Sequence, residues 1–277
     1  MTLYLIGLGL NDENDITLKG LELVKKADKA YLEGYTSTLS CSREDLEKAY
    51  GRKVIMADRE LVEKGEEILD NAAKGDVALL VGGDPMSATT HTDLMLRAAK
   101  RGIRVEVVHN ASVLTAVGVV GLELYKYGKT TSITFPQEGW EVETFYDVVK
   151  ENKSRGLHTL CLLDIKVKEP SKEALKKERN SAFEKPRFMT VNQGIQCLLD
   201  VEKKRKEKVF TDETLCVGCA RLGSKDMKIK AGKAMEIMKA EFGRPLHCLV
   251  VPGKLHFVEE EALELWKKAR EKAQKAI

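Results

Sequence analysis

No run in this sequence is long and apolar enough to cross a bilayer, which takes about 20 residues. The apolar start, MTLYLIGLGL, has neither a basic leader nor a cleavage pattern. The expectation is a soluble, cytoplasmic chain with no membrane partner. An excess of one charge is also missing. Lys and Arg number 46 against 43 Asp and Glu, a formal balance of +3, although 32% of residues are charged. A general nucleic-acid binder would be more lopsided, so no nucleic-acid partner is expected. Two local excesses, KKER at 176–179 and EKKRKEK at 202–208, read as solvated helix faces.

Several ready-made sites are absent too. A zinc ribbon needs two cysteine pairs, and only Cys216 and Cys219 have the spacing, inside the strand-like run TLCVGCA. The six cysteines lie mostly in apolar runs and read as reduced core thiols, so no metal is expected. The opening GLGLND fails as a dinucleotide fingerprint, because Asp12 stands where the third glycine is needed. No glycine-rich run ends in Lys followed by Ser or Thr, so there is no P-loop. These glycines let a ligand approach the backbone without cradling a phosphate chain. Internal repeats and low-complexity tracts are missing as well.

What is present is an alternation of strand, turn and helix. The chain has 277 residues, 43% of them hydrophobic, enough for two domains or one large one. TLYLIG (2–7), AYLEGY (30–35), the run around VALLV and IRVEVVH (103–109) read as strands. Leu18, Leu21 and Val24 share a helix face, and helices are expected over 61–74 and 91–102. This order predicts a mainly parallel α/β sheet. Beyond about residue 111, strands at 131–135, 158–165, 214–220, 227–232 and 246–253 lie closer together, with helices at 143–154, 190–206 and 258–274. The expectation is an α/β fold of two domains, 1–110 and 111–277, the second with more antiparallel pairing. The charged stretch 166–188 reads as an exposed excursion.

Ligands of open parallel sheets bind beyond the carboxyl ends of the strands. Three such tips carry unusual residues: GLGLNDEND (7–15), GGDPMSATTH (82–91) and HNASVLTAVG (109–118). Gly82 and Gly83 let backbone meet a ligand, and Pro85 pushes Asp84 out of helical geometry. Two readings stay open for this stretch: a ligand tip with Asp84 facing outward, or a plain corner with Thr89 or Thr90 capping the next helix. Ser112 likewise reads either as an N-cap or as part of a binding edge.

Taken together, YLIGLGL, DITLKGLE, EGYTS, GDPMSATTH, HNASVLTAVG, GLHTLCLLDIK, PRFMTVNQ, ARLGS and PLHCLVVPGKLH resemble the diphthine synthase family of the tetrapyrrole-methylase superfamily. GxGL and GDP alone belong to the wider superfamily; GDP followed by ATTH, then HNAS and HTLCLLDIK, is much more specific. The resemblance implies two α/β domains of the tetrapyrrole-methylase type with S-adenosylmethionine in the cleft between them, S-adenosylhomocysteine as product, and usually a homodimer. The implied substrate is translation elongation factor 2, on which a histidine carries a 3-amino-3-carboxypropyl group. The amine becomes trimethylated and, in eukaryotic members, the carboxylate becomes a methyl ester. The long charged excursion and DIKVKE favour four transfers over three.

By the same resemblance, the cofactor contacts are Leu10, Asp84, Ser87, Ser112, Val113, Leu163, Leu222 and His247. The pair Met86–Ser87 departs from the more usual FG or LV, and backbone contact is the expectation for Ser87. Methyl transfer from a sulfonium is an in-line displacement, so positioning is expected to carry the catalysis. A cleft raises the neutral fraction of the amine by desolvation, and a carboxylate needs no base. No dedicated catalytic residue is therefore expected; His91, His109 and His247 are base candidates by location only. The alternatives are a tetrapyrrole methyltransferase and a non-catalytic module that binds the elongation factor.

Overall fold

Short apolar runs bounded by glycine or charge become strands in the computed structural model of the chain, which describes residues 1–35, 38–137, 139, 142–167 and 185–267. The chain divides into two compact units, Met1–Ala116 and Val117–Ile277.

The first unit runs β1 (Thr2–Gly7), α1 (Leu18–Lys26), β2 (Lys29–Glu33), α2 (Arg43–Tyr50), β3 (Ile55–Ala57), α3 (Arg59–Lys64), α4 (Glu66–Ala72), β4 (Val77–Val81), α5 (His91–Lys100), β5 (Arg104–Val108) and α6 (Val113–Ala116). Its sheet has the order β3-β2-β4-β1-β5 with every pair parallel. Strand β4 is buried throughout, as its continuous apolar run requires. Helix α1 starts at Thr17, whose hydroxyl accepts the Gly20 amide at 3.0 Å, and turns Val24 inward. The helix expected over 61–74 is two helices, α3 and α4, broken at Gly65 with φ 65°. Arg97 on α5 donates to the open carbonyls of Glu63 and Lys64 at that break.

The second unit contains β6 (Thr131–Ile133), α7 (Thr144–Ser154), β7 (Thr159–Leu163), β8 (Ile165–Lys166), β9 (Arg187–Phe188), α8 (Val191–Arg205), β10 (Leu215–Ala220), β11 (Lys228–Lys233), α9 (Ala234–Ile237), β12 (His247–Val251) and α10 (Phe257–Lys267). Its main sheet has the order β11-β10-β12-β7-β6, antiparallel except for the parallel pair β6–β7. Helix α8 opens with a capping box between Thr190 and Gln193. Two cations of the basic run at its end are paired: Lys204 and Arg205 meet Glu143, and Arg205 also meets Asp147 and lies over the Tyr146 ring. All six cysteines are free thiols, with Cys161, Cys216, Cys219 and Cys248 buried. Most of the charged excursion (168–184) and the end of the C-terminal helix (268–277) lie outside the described residues. Among the described residues, no helix is long and apolar enough to cross a membrane, and no group of three or more His, Cys, Asp or Glu could hold a metal ion.

Candidate functional site

The sheet order of the first unit puts the ends of β4, β1 and β5 side by side, where the chain's crossovers part to opposite edges. The tips are stitched together by backbone. Leu8 donates to the Val81 carbonyl at 2.8 Å, and Gly9 and Gly83 exchange hydrogen bonds in both directions. Gly7 cannot be replaced without a shift, since a Cβ there would stand 2.6 Å from the Gly83 carbonyl and 2.8 Å from the Asn110 Cβ. Gly83, at φ 81°, is different: a Cβ there would have nothing nearer than 3.8 Å, with Ser112 as its closest neighbour. A side chain there would meet Ala111 and Ser112 only at ordinary contact distance, so bare backbone is presented beside the β5 tip.

Asp84 joins these tips. One carboxylate oxygen accepts the Met86 amide at 2.8 Å and faces the Ser87 hydroxyl at 3.4 Å. The other accepts the Asn110 amide at 3.1 Å and lies 2.8 Å from His109 Nδ1. Burial alone would raise this carboxyl, but the Met86 amide, the His109 ring and the Asn110 amide outweigh it and hold it below the ordinary carboxylate range. Asp84 is 8% exposed, so its charge is fixed inside the tip while the His109 ring stays largely in solvent.

Of the other expected contacts in this unit, Leu10 follows Gly9 in the β1 loop, and Val113 begins α6. Ser112 is buried, and its hydroxyl accepts the Leu114 amide at 3.3 Å, which makes it the N-cap of α6. All five first-unit residues therefore gather at one end of one sheet. Of the two readings open for this stretch, the threonine cap on α5 is not formed: the Thr90 side chain makes no cap bond, and the Thr89 hydroxyl lies 2.9 Å from His91 Nδ1 instead.

Leu163, Leu222 and His247 gather at one end of the second unit's sheet. Leu163 ends β7, Ala220 at the end of β10 pairs with His247 at the start of β12, and Leu222 follows two residues later. The Arg221 amide donates to the Leu246 carbonyl at 2.8 Å, and the Arg221 guanidinium bonds to Asp226 and to the Phe242 and Arg244 carbonyls. The His247 Nδ1 accepts the Val191 amide at 3.4 Å, and its Nε2 faces the Arg244 carbonyl at 3.0 Å. Burial lowers its pKa below the ordinary value. Both ring nitrogens of His247 are thus engaged by the backbone.

Two anchoring residues lie within the tips read from the sequence, but their roles are not marked there. Asp15 accepts the Leu10 and Asn11 amides at 3.1 and 2.8 Å and so shapes the loop after β1. The Asn110 side-chain amide donates to the Gly7 and Asp15 carbonyls at 3.0 and 2.9 Å, tying the β5 tip to that loop. An acid shortly after a GxG turn and an asparagine at a strand end are the only hints, and both are common.

Residues 2–238 match the family described as Tetrapyrrole (Corrin/Porphyrin) Methylases. The diphthine methyl ester synthase of Dictyostelium discoideum is 52% identical over 270 residues, covering 96% of this chain and 98% of that protein. The diphthine methyl ester synthase of Homo sapiens is also 52% identical over 270 residues, covering 95% of this chain and 94% of that protein. A solved crystal structure of diphthine synthase, 34% identical, superposes with a TM-score of 0.83 and covers 100% of both chains. Similarity at this level along nearly the whole length is more than a shared fold: the chain belongs to the diphthine methyl ester synthases of the tetrapyrrole methylase family.

Proposed function

We propose that this chain methylates the 3-amino-3-carboxypropyl group carried by a histidine of translation elongation factor 2, with S-adenosylmethionine as donor. A methyltransferase role in diphthamide biosynthesis follows from the family. The donor, the acceptor protein and four transfers, three to nitrogen and one to the carboxylate, are the finer reading. It is supported by the full-length similarity to proteins named for the methyl ester.

The first-unit tip suits such a donor on two counts. Gly83 presents bare backbone beside the β5 tip, where a side chain would stand in a ligand's way. The ionised Asp84 puts negative potential where a positively charged donor would lie. When bound, S-adenosylmethionine supplies an electrophilic methyl group on a cationic sulfur and leaves as S-adenosylhomocysteine. The work of the chain is then to hold and orient, which is where the rate comes from in a reaction needing only a near-attack arrangement. The contacts are assigned to Leu10, Asp84, Ser87, Ser112 and Val113 and, from the second unit, Leu163, Leu222 and His247. His247, with both nitrogens engaged, serves to shape its sheet end and not to take a proton. The same reading makes the protein a cytoplasmic homodimer.

The observation that carries the proposal is Asp84, buried and ionised across the joined tips of β4 and β5. Asp84→Asn puts an NH2 group against an N–H donor whichever way the amide turns. It should weaken S-adenosylmethionine binding at least tenfold, about 1.4 kcal/mol; unchanged affinity by calorimetry removes Asp84 from the site. Incubation with methyl-labelled donor and the modified elongation factor, followed by mass spectrometry of the histidine peptide, should show four added methyl groups. Three would remove the ester step, and none would overturn the function.

A further inference from the structure

His91 is not among the assigned donor contacts, yet it grips the turn that holds two of them. It begins α5 and is 1% exposed. Its Nδ1 lies 2.7 Å from the Pro85 carbonyl oxygen and 2.9 Å from the Thr89 hydroxyl. Its Nε2 lies 2.7 Å from Glu33 Oε2, at the end of β2, and Glu33 is 3% exposed. A carbonyl and a carboxylate only accept hydrogen bonds, so this arrangement uses a proton on each ring nitrogen. Burial alone would lower the His91 pKa, but the Glu33 carboxylate beside Nε2 and the Pro85 carbonyl outweigh it and raise it above the ordinary value. Glu63 of α3 and Asp93 and Arg97 of α5 line, with Val62, Thr90, His91 and Leu94, a cavity of about 140 Å³. Tyr35, just beyond β2, feels the Glu33 charge as well.

Pro85 has no amide hydrogen, so its carbonyl is its one backbone handle. Asp84 precedes it, Met86 and Ser87 follow it, and Ala88 is held at φ 55°, a conformation that an alanine adopts only under constraint. We propose that His91, anchored on Glu33, is a positioning residue: by holding the Pro85 carbonyl it fixes Asp84 and Ser87 in the orientation that binds the methyl donor. The proposal rests on the donor reading given above. It places His91 in donor affinity and not in the methyl-transfer step.

Two substitutions divide the ring between its two contacts, the Pro85 carbonyl and the Glu33 carboxylate. His91→Asn keeps an N–H donor where Nδ1 stands and loses the reach to Glu33. His91→Gln keeps one where Nε2 stands and loses Pro85. Both lower stability. Affinity for S-adenosylmethionine, measured by calorimetry, should fall at least about tenfold in His91→Gln and stay within about threefold in His91→Asn. The kcat at saturating donor should be unchanged in both. Amide exchange at Met86 and Ser87, followed without donor, should accelerate in His91→Gln and not in His91→Asn. Equal losses of affinity in the two variants, in step with their stability, overturn the proposal and leave His91 a packing residue. Nitrogen-15 NMR of the unmodified chain needs no variant to fold: protons on both His91 nitrogens support the grip, and a bare Nδ1 overturns it. A wild-type chain that binds no S-adenosylmethionine overturns the donor reading instead, and the exchange rates still decide whether His91 holds the turn.

Discussion

His91 in the first unit and His158 in the second are both buried against a glutamate, at 2.7 Å from Glu33 and 2.8 Å from Glu259. Their protonation moves in opposite directions. The pKa of His91 is raised above the ordinary value, whereas burial pulls that of His158 below it in spite of Glu259. The second neighbour makes the difference. His91 Nδ1 meets a carbonyl, an acceptor, while His158 Nδ1 accepts the Gly253 amide at 3.0 Å. Glu259 also bonds Lys126 and accepts the Glu123 and His256 amides at 3.0 and 2.8 Å, so another cation already answers its charge. A buried His–Glu contact is therefore two different devices: a charged clamp when the far nitrogen faces an acceptor, a neutral strut when it faces a donor.

The most damaging way to test the contrast is to remove the carboxylates. Glu259→Leu leaves Lys126 and two amides without their buried acceptor, and should cost about 3–5 kcal/mol in denaturant unfolding of the second unit. Glu33→Leu should cost less, about 2–3 kcal/mol, because His91 can shed its charge where Lys126 cannot. A reversed order would mean that the Glu259 network is weaker than its bonds imply.

The pH dependence sharpens the same comparison. His158 takes up a proton in the unfolded chain near its ordinary value of 6.5 but resists it in the fold. Its contribution to stability is thus present above pH 6.5 and shrinks as the pH falls below that value. His91 binds its proton more tightly in the fold, so its contribution is full below pH 6.5 and is lost as the pH rises through its elevated folded value. Glu259, brought from 4.5 down to about 2 by Lys126, two backbone amides and His158 against the opposing effect of burial, adds stability that is lost between those two values on acidification. Native-state hydrogen exchange, expressed as protection relative to the intrinsic amide rate at each pH, should therefore lose protection at β7 from pH 7 to 5 and at β4 from pH 7 to 9. Equal pH trends in the two strands would break the contrast.

The smallest effect serves as the control. Ser112→Ala removes a cap hydroxyl that touches neither pair, and should cost about 0.5–1 kcal/mol with both pH trends intact.

Much of the fold was legible because burial and chain period agree. β1 matches the run 2–7 residue for residue, and α7 and α8 lie within one residue of the helices read at 143–154 and 190–206. The failures are local. Gly65 divides a helix whose apolar spacing continues across the break: its left-handed backbone caps α3, the Gly65 amide donating to the Leu61 carbonyl at 2.9 Å, so the apolar period masked a glycine stop. α2 buries only Leu46 and Tyr50, and β3 is a three-residue edge with Ile55 and Met56 exposed, so neither carries a strong pattern. The tip residues were visible as glycine, acid and small polar residues after strands. Their partners were not: Asn110 reaches Gly7 across 103 positions, and His91 meets Glu33 from another strand's end. No spacing rule reports such meetings, which exist only once the sheet order is set.

The saturation of Asp84 changes how a visitor would experience it. With amides, a hydroxyl and an imidazole already around both oxygens, the group has no hydration shell to surrender when something settles nearby. A cation settling beside the tip would feel this carboxylate's negative charge without stripping water from it, and a neutral analogue of the same shape would gain nothing from it. On the donor reading proposed above, the turn would favour a cation through its fixed charge in addition to any direct contact.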